Sequence, residues 1–320
     1  MYASTRGSLL AMALTILLAV RSDAQPTEKL LIVHADDLGM AHSIDAAAIK
    51  ALETGTVNSA SIMVPCPWFP EIAAYARRHP DADFGLHLTL TSEWISYRWR
   101  PLLGLSSLVD ARGYLNAAET DAAARMDPRQ AEAEIRAQIG RARAAGIHPT
   151  HLDSHMGTLY QNKELFEVFL RVARDEGIPA RISRAQAAAP FRAALLRPDD
   201  VVIDEIITID ATVPLDQWVQ WYSSAIKRIR PGITEIVFHP AYDDSEMQAI
   251  TAGHPHWGAA WRQRDFDFFT SDEFRRLLHE NNIRLVTWRE VNALKRRHTS
   301  SRGNPRPAYA RGPRAGESRR

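Results

Sequence analysis

Short apolar runs that favour β-strands alternate with helical segments along most of this 320-residue chain. Eight runs are candidate strands: 29–33, 59–64, 84–90, 150–154, 180–183, 201–209, 235–238 and 284–288. The helical segments between them carry end signals, such as Gly146 after 128–145 and Gly177 after 164–176. Alternation of this kind places parallel strands side by side, with helices as crossovers. We therefore predict an α/β fold, and within that class a TIM-like (β/α) barrel, regular or distorted.

The alternative α/β architecture is an open, doubly wound sheet. In that architecture the turn after the first strand commonly carries a glycine fingerprint for a dinucleotide or a phosphate. Here the turn reads HADDLG at 34–39, which lacks that fingerprint. The sequence therefore favours the barrel and indicates no nucleotide cofactor.

Residues 1–24 have the pattern of a signal peptide. A basic residue precedes a short apolar run at 9–20, and a small-x-small cleavage position ends at Ala24. The apolar run is shorter than the roughly 20 residues of a membrane span, and an uncleaved anchor is the alternative. We expect a mature chain that starts near Gln25, is periplasmic or secreted, and has no integral membrane segment after processing. The lone Cys66 suits an oxidising compartment.

Charge is unevenly distributed in this chain of 39 basic and 38 acidic residues. Nine of the basic residues lie in 295–320, which is rich in proline, glycine, serine and arginine and is predicted to be a disordered basic tail. The body at 25–294 has an acidic excess, whereas a nucleic-acid enzyme carries its basic patch on the folded domain. We expect one barrel domain at 25–294 and no nucleic-acid partner.

Three groups of ionisable residues stand at the C-terminal ends of candidate strands. They are Asp36-Asp37 after the first strand, His87 in the third, and the run HLDSH at 151–155 in the fourth. Active sites of (β/α) barrels lie at this end of the strands, so residues that are far apart in sequence meet there. On an extended strand the first, third and fifth residues of the HLDSH run would also share one face.

A carboxylate with two imidazoles leaves positions open for water and substrate on a divalent ion, as catalytic metal sites do. Such ligands suit Zn²⁺ best, and Mg²⁺ is the alternative. A second carboxylate beside the ligand could act as a general base, and His239, which ends another strand, could protonate a leaving amine. Taken singly, each residue has a structural alternative: His87 as a packed histidine, the Asp pair as a helix cap, and His239 as a turn residue. Their occurrence at four strand ends favours a shared metal site.

Residues 92–126 interrupt the alternation with a long segment that contains three aromatic residues between 94 and 99. Long loops inside compact domains are commonly functional, and aromatic rings suit sugar faces. A structural excursion with its own small core is the alternative. We expect Glu93 and its aromatic neighbours to hold a sugar, and Arg181 to pair with Asp36 or with a substrate group.

Four motifs in this order resemble the YdjC-like (ChbG/HpnK) carbohydrate deacetylases. They are LLIVHADDLGMAHSID at 30–45, GLHLTL at 85–90, PTHLDSHMG at 149–157 and EIVFHPAYDD at 235–244. The resemblance covers roughly residues 29–290. It implies a (β/α)-barrel-like fold related to that of polysaccharide deacetylases. It also implies metal-dependent removal of an acetyl group from an N-acetylated sugar.

The resemblance also implies roles for individual residues. The metal ligands of the family fall on Asp37, His87 and His155. The presumed catalytic base falls on Asp36, and a candidate catalytic acid falls on His239.

The chain departs from the family pattern at two places. His34 stands where the family usually has asparagine, and the further histidines that usually follow the Asp-Ser-His motif are missing at 156–159. The three ligand positions are retained, so the departures bear on the substrate rather than on metal binding. An exported member would meet oligosaccharides or polymers outside the cytoplasm.

These observations predict a metal-dependent carbohydrate N-deacetylase, a hydrolase that removes an acetyl group from an N-acetylated sugar or oligosaccharide. Its cofactor would be a divalent metal ion, Zn²⁺ or Mg²⁺, and its partner an N-acetylated carbohydrate. One alternative is a metal-dependent hydrolase of another bond, although the adjacent Asp36 and Asp37 poorly supply the separation that glycoside hydrolysis requires. The other is an exported carbohydrate-binding protein on the same barrel without catalysis.

Overall fold

The computed structural model describes residues 27–254 and 256–302, with side chains described as far as Lys295. The predicted signal peptide at 1–24 and most of the predicted tail lie outside the described residues. The strands within this part are β1 Lys29–Leu38, β2 Ser59–Ile62, β3 Phe84–Leu88, β4 Leu152–Ser154, β5 Glu205–Thr208, β6 Gly232–Phe238 and β7 Ile283–Leu285.

The helices of the same part lie mostly between the strands. The α-helices are α1 His42–Glu53, α2 Phe69–Arg78, α3 Glu119–Arg125, α4 Pro128–Ala144, α5 Lys163–Glu176, α6 Arg184–Ala187, α7 Pro190–Ala193, α8 Trp218–Lys227, α9 Ser245–Ile250, α10 Ala259–Phe269, α11 Asp272–Glu280 and α12 Trp288–Arg302. Short 3₁₀ helices lie at Ser106–Leu108, His155–Tyr160 and Leu215–Gln217. None of the described helices is both long and apolar enough to cross a membrane. Because α12 continues to Arg302, the predicted domain boundary at 294 falls inside a helix.

All strands pair in parallel, in the order β4-β3-β2-β1-β6-β5, and β7 pairs with the beginning of β1. The candidate strand at 180–183 forms only isolated bridges, from Ala180 to Leu152 and from Ser183 to Ile203. These bridges connect the β4 side of the sheet with the segment that leads into β5. The sheet therefore curls into a distorted (β/α) barrel, which confirms the fold class predicted from the alternation.

Burial explains why these sequences form these elements. After its first residue, β1 is buried throughout, as expected for a parallel strand that is covered on both faces. Helix α5 buries an apolar face. It begins after Asn162, whose side chain accepts a hydrogen bond from the N–H of Leu165, and it ends at Gly177, which has a left-handed backbone conformation. Helix α4 begins after the Asp127 cap.

The interior of the barrel below the strand ends is polar. Its buried side chains are His34, His151, Asp153, Arg181 and Glu235. They come from β1, β4 and its flanking residue, the 180–183 segment and β6, and the ring of His34 lies edge-on to that of His151, with centroids 4.9 Å apart. Buried charges are tolerated when they are paired, and here His34 and Arg181 each lie within ion-pair distance of Asp153 and Glu235.

Gly85 in β3 makes room for one of these side chains. A Cβ at Gly85 would lie closer to three atoms of the His151 ring than van der Waals contact allows. The ring cannot yield freely, because it is fully buried and stacks on Trp288. We expect Gly85→Ala to lower the free energy of unfolding by about 1–3 kcal/mol in urea denaturation.

Gly140 in α4 is the matched control for that substitution, because no described atom beyond its chain neighbours and the adjacent helix backbone lies within 4 Å of the Cβ position there. Gly140→Ala is expected to raise the free energy of unfolding by about 0.5–1 kcal/mol, as for a helix interior. A Gly85→Ala variant as stable as the wild type would contradict the placement of His151.

Candidate active site and metal centre

Asp37, His87 and His155 meet at the C-terminal end of the barrel. Oδ1 of Asp37 lies 3.4 Å from Nε2 of His87 and 3.4 Å from Nδ1 of His155. All three side chains are buried, and Oδ1 of Asp37 has no hydrogen-bond partner among the described residues. The three residues predicted as metal ligands are thus brought together around an unpartnered carboxylate oxygen.

An irregularity in β1 directs both aspartates toward the same space. Adjacent residues of a regular strand point to opposite faces. The register between β1 and β2 shifts between Ala35 and Leu38, as at a β-bulge, and Asp37 adopts the left-handed φ of 73°. Such backbone conformations are costly for a residue other than glycine and are concentrated at functional sites. Asp36 and Asp37 therefore both border one cavity.

Both histidines are oriented by carboxylates. Nδ1 of His87 lies 2.8 Å from Oδ1 of Asp153, and Nε2 of His155 lies 2.9 Å from Oε2 of Glu93. Each imidazole therefore turns its other nitrogen toward Asp37. A carboxylate behind a histidine is the common outer partner of a metal ligand. Glu93, which is expected to hold a sugar, borders the cavity and also contacts a candidate ligand.

Arg262 in α10 orients the third candidate ligand. Its Nη2 donates to Oδ2 of Asp37 at 2.8 Å, and both side chains are buried. Burial alone would raise the pKa of Asp37, but the charge of Arg262 and the neighbouring imidazoles hold it well below its usual range. The carboxyl is therefore ionised, as a metal ligand must be. Sequence reasoning did not find Arg262.

The expectation that the HLDSH run shares one face is only partly correct. His151 lies in the barrel interior against His34 and Trp288, and it does not join Asp37. His155 follows the end of β4 and begins a 3₁₀ helix that contains left-handed residues, which turns its ring toward Asp37.

The group formed by Asp37, His87 and His155 suits a divalent cation better than two nearby groups of possible ligands do. Two other groups of three buried residues also have donor atoms that lie within 4.8 Å of one another inside the group. They are His34–His151–Asp153 and Asp36–His87–Asp153. Both depend on Asp153, whose Oδ1 is engaged by His87 and whose Oδ2 lies 3.1 Å from the Arg181 guanidinium. That guanidinium would repel a second cation. The Asp37 group offers an unpartnered oxygen and two oriented imidazole nitrogens.

The two oxygens of Asp36 have different surroundings. Oδ1 faces the interior, 2.9 Å from Nε2 of His34 and 3.5 Å from Nη1 of Arg181, which is the pairing expected for Arg181. Oδ2 lies 3.8 Å from Nε2 of His87 and 3.8 Å from Nε2 of His239. Burial would raise the pKa of Asp36, but His87 and Arg181 lower it below the usual range. Asp36 is thus an ionised carboxylate with one oxygen beside His239.

His239 lies beside Asp36 in an aromatic setting. Its backbone N–H donates to Asp265 at 2.8 Å, and its ring packs against Trp257 and Trp261 with centroids 4.7 and 5.8 Å away. Burial lowers the pKa of His239 to about 4. The imidazole is therefore neutral near pH 7 and can accept a proton. Asp265, like Arg262, belongs to α10 and was not found from the sequence.

These residues line a cavity of about 480 Å³, a volume typical of small-molecule sites. Its walls away from the candidate ligands include Trp94, Met156, Ile206, Val237, His254, His256 and Trp257. The long segment 92–126 contributes both to the cavity wall and to the core. Trp94 and Trp99 are both buried, but Trp94 borders the cavity, whereas Trp99 donates its indole N–H to the Thr91 carbonyl.

Comparisons with known proteins agree with this architecture. A family model described as YdjC-like protein matches residues 30–280. A carbohydrate deacetylase of Thermus thermophilus is 31% identical over 270 residues, covering 82% of this chain and 94% of that protein. A carbohydrate deacetylase of Thermoanaerobacter pseudethanolicus is 28% identical over 263 residues, covering 81% and 98%.

A solved structure extends the likeness to three dimensions. A crystal structure from Enterococcus faecalis, described as that of a cellobiose-phosphate cleavage protein, superposes with a TM-score of 0.70 at 26% identity. The match covers 83% of this chain and 99% of that chain. Together with the family model, which spans most of the barrel, this identifies the chain as a member of the YdjC-like protein family.

Proposed function

We propose that this protein is a metal-dependent carbohydrate N-deacetylase. The observation that carries the proposal is the unpartnered Oδ1 of Asp37 between two oriented imidazoles, with the second carboxylate of Asp36 directly beside it. A ligand group and an adjacent base at the floor of a cavity suit hydrolysis of an amide. The two curated relatives described above, both named carbohydrate deacetylases, support an acetylated sugar as the substrate.

In this proposal Asp37, His87 and His155 hold the divalent ion. The bound ion supplies a positive centre that polarises a carbonyl oxygen and makes a water molecule more acidic. The mixed nitrogen and oxygen donors favour Zn²⁺, and Mg²⁺ is the alternative. Arg262 compensates part of the charge of Asp37 and holds its second oxygen in a hydrogen bond.

Asp36 is the proposed general base, acting through Oδ2. This oxygen takes a proton from the water that attacks the acetamide carbon. His239 is neutral at the start and has its Nε2 3.8 Å from that oxygen. It can therefore receive the proton and pass it to the sugar nitrogen as the C–N bond breaks. The products are acetate and a free amino sugar, and Asp36 and His239 return to their starting states.

The cavity walls suit an amphipathic ligand such as a sugar. Trp257 offers an aromatic ring beside His239, and Ile206 and Val237 offer apolar surface. Sugars present apolar C–H faces that pack on such surfaces, while their hydroxyl groups require polar partners. His254 and His256 at the same wall supply polar nitrogens for hydroxyl groups.

The assay that tests this proposal measures acetate release from a panel of N-acetylated monosaccharides and oligosaccharides. The protein is the mature chain from Gln25 loaded with Zn²⁺ or Mg²⁺. We expect at least one panel member to yield acetate and an equal amount of free amine. Failure of a metal-loaded, folded protein to release acetate from any member would contradict the proposed reaction.

The carboxylates behind the histidines should tune metal affinity. Glu93→Gln keeps the size of the side chain but removes the charge that orients His155, so we expect Zn²⁺ affinity to fall about 10-fold to 100-fold. Competition with a chromophoric chelator measures the change. Glu71→Gln is the matched control, because Glu71 pairs with the exposed His42. Equal affinities of the two variants would contradict the assigned role of Glu93.

We also propose that the chain is exported and acts in the periplasm or outside the cell. The support is the pattern of residues 1–24, which lies outside the described part of the structure. N-terminal sequencing of the protein from its native compartment should give a start near Gln25. A cytoplasmic protein that retains Met1 would contradict export.

A further inference from the structure

His34 lies directly beneath the proposed base and is fully buried. Its Nδ1 is 2.9 Å from Oγ of Ser59, its register partner on β2. Its Nε2 is 2.9 Å from Oδ1 of Asp36, 3.1 Å from Oγ of Ser61 and 3.3 Å from Oδ2 of Asp153. Both ring nitrogens are thus occupied, and one of them faces the base.

The contacts of Asp36 distinguish its two oxygens. Oδ1 accepts a hydrogen bond from Ser61 at 3.1 Å and faces His34 at 2.9 Å, whereas Oδ2 is left beside His239. The terminal torsion of an aspartate has broad minima, so the carboxylate can rotate unless it is anchored. An anchored Oδ1 leaves Oδ2 in the orientation that proton transfer requires.

His34 also lies close to Asp153, the carboxylate that orients the candidate metal ligand His87. Asp153 presents Oδ2 to His34 and Oδ1 to His87. Burial would lower the pKa of His34, but the neighbouring carboxylates of Asp153, Asp36 and Glu235 raise it to about 9. His34 is therefore a charged imidazolium between two carboxylates, and it belongs neither to the cavity wall nor to the Asp37–His87–His155 group.

We propose that His34 is a positioning residue for the deacetylation. Its contact with Oδ1 of Asp36 leaves Oδ2 as the atom that takes the proton. Its contact with Asp153, which also contacts His87, helps to fix the orientation of that candidate metal ligand. The inference rests on the proposed function. It assigns a role to a residue that departs from the pattern of the resembled family.

The test compares His34→Leu with His34→Gln. Leucine fills a similar volume without a donor, whereas the amide nitrogen of glutamine can reach the Nε2 position. We expect His34→Leu to lower kcat for acetate release by about 100-fold, the scale of a misplaced catalytic group, with KM unchanged and one metal ion still bound at saturating Zn²⁺, because the three ligands remain. His34→Gln should recover at least about tenfold of that loss. If the leucine variant does not fold, His34→Ala takes its place.

His151 provides the matched control, because it is equally buried in the same interior and forms its hydrogen bond with Thr150 rather than with Asp36. His151→Asn is expected to lower the melting temperature without changing kcat. Equal kcat values for the leucine and glutamine variants of His34 would overturn the positioning role, as would an equal loss in His151→Asn. A wild type without acetate release defeats the proposed function, whereas an active wild type with a fully active His34→Leu defeats only this inference.

Discussion

Asp36→Asn is expected to reduce kcat for acetate release by about 10³-fold while bound metal stays at the wild-type level. Asparagine has the same shape as aspartate but cannot accept the proton through Oδ2. The metal is retained because the assigned ligands are Asp37, His87 and His155. Acetate release is measured enzymatically, and metal is measured by elemental analysis of the same sample.

The matched control for this prediction is Asp243→Asn. Asp243 is an exposed carboxylate in the loop that follows β6, and it lies outside the cavity wall. Its substitution should leave kcat unchanged. An Asp36→Asn variant with wild-type kcat would contradict the role of Asp36 as base. If the protein were instead a non-catalytic carbohydrate-binding protein, Asp36→Asn would have no turnover to lose and would keep its affinity for sugars.

His87→Ala is expected to abolish stoichiometric metal binding and to reduce acetate release by at least about 10⁴-fold, because a polarising metal supplies several kcal/mol of stabilisation. The substitution removes one of three candidate ligands and leaves Asp153 without its hydrogen-bond partner. Elemental analysis after dialysis against metal-free buffer measures the first effect, and the acetate assay measures the second.

His239→Ala is the control that separates metal binding from proton transfer. His239 is a mostly buried histidine of the same cavity, but it is not among the candidate ligands. We expect this variant to keep its metal and to lose about 10²-fold in kcat. A His87→Ala variant that binds metal as tightly as His239→Ala would refute the assigned ligand set.

The position of the candidate site and many helix bounds could be predicted from the order of strands and helices and from cap, glycine and proline residues. Parallel strands bring their C-terminal ends together, so Asp37, His87 and His155 could be assigned to one place although they lie far apart in the chain. The helix bounds follow from glycine, proline and cap residues, and 69–78 is found as predicted. The candidate strand at 180–183 is irregular because only single bridges hold it.

Other parts of the site depend on tertiary structure that leaves little local signal. That Asp36 and Asp37 face one cavity depends on a register shift in β1 and on a left-handed aspartate. Arg262 and Asp265 belong to α10, in which buried charged residues break the apolar periodicity that would reveal the helix. His34 looks like an ordinary strand residue until its partners on β2 and β4 are known.

The most direct test of the central claim is removal and return of the metal. The wild-type protein is stripped with a chelator, its metal content is measured, and acetate release is recorded before and after addition of Zn²⁺ or Mg²⁺. We expect acetate release to disappear with the metal and to return at about one ion per chain. Acetate release that continues unchanged in the stripped protein would contradict a catalytic metal at Asp37, His87 and His155.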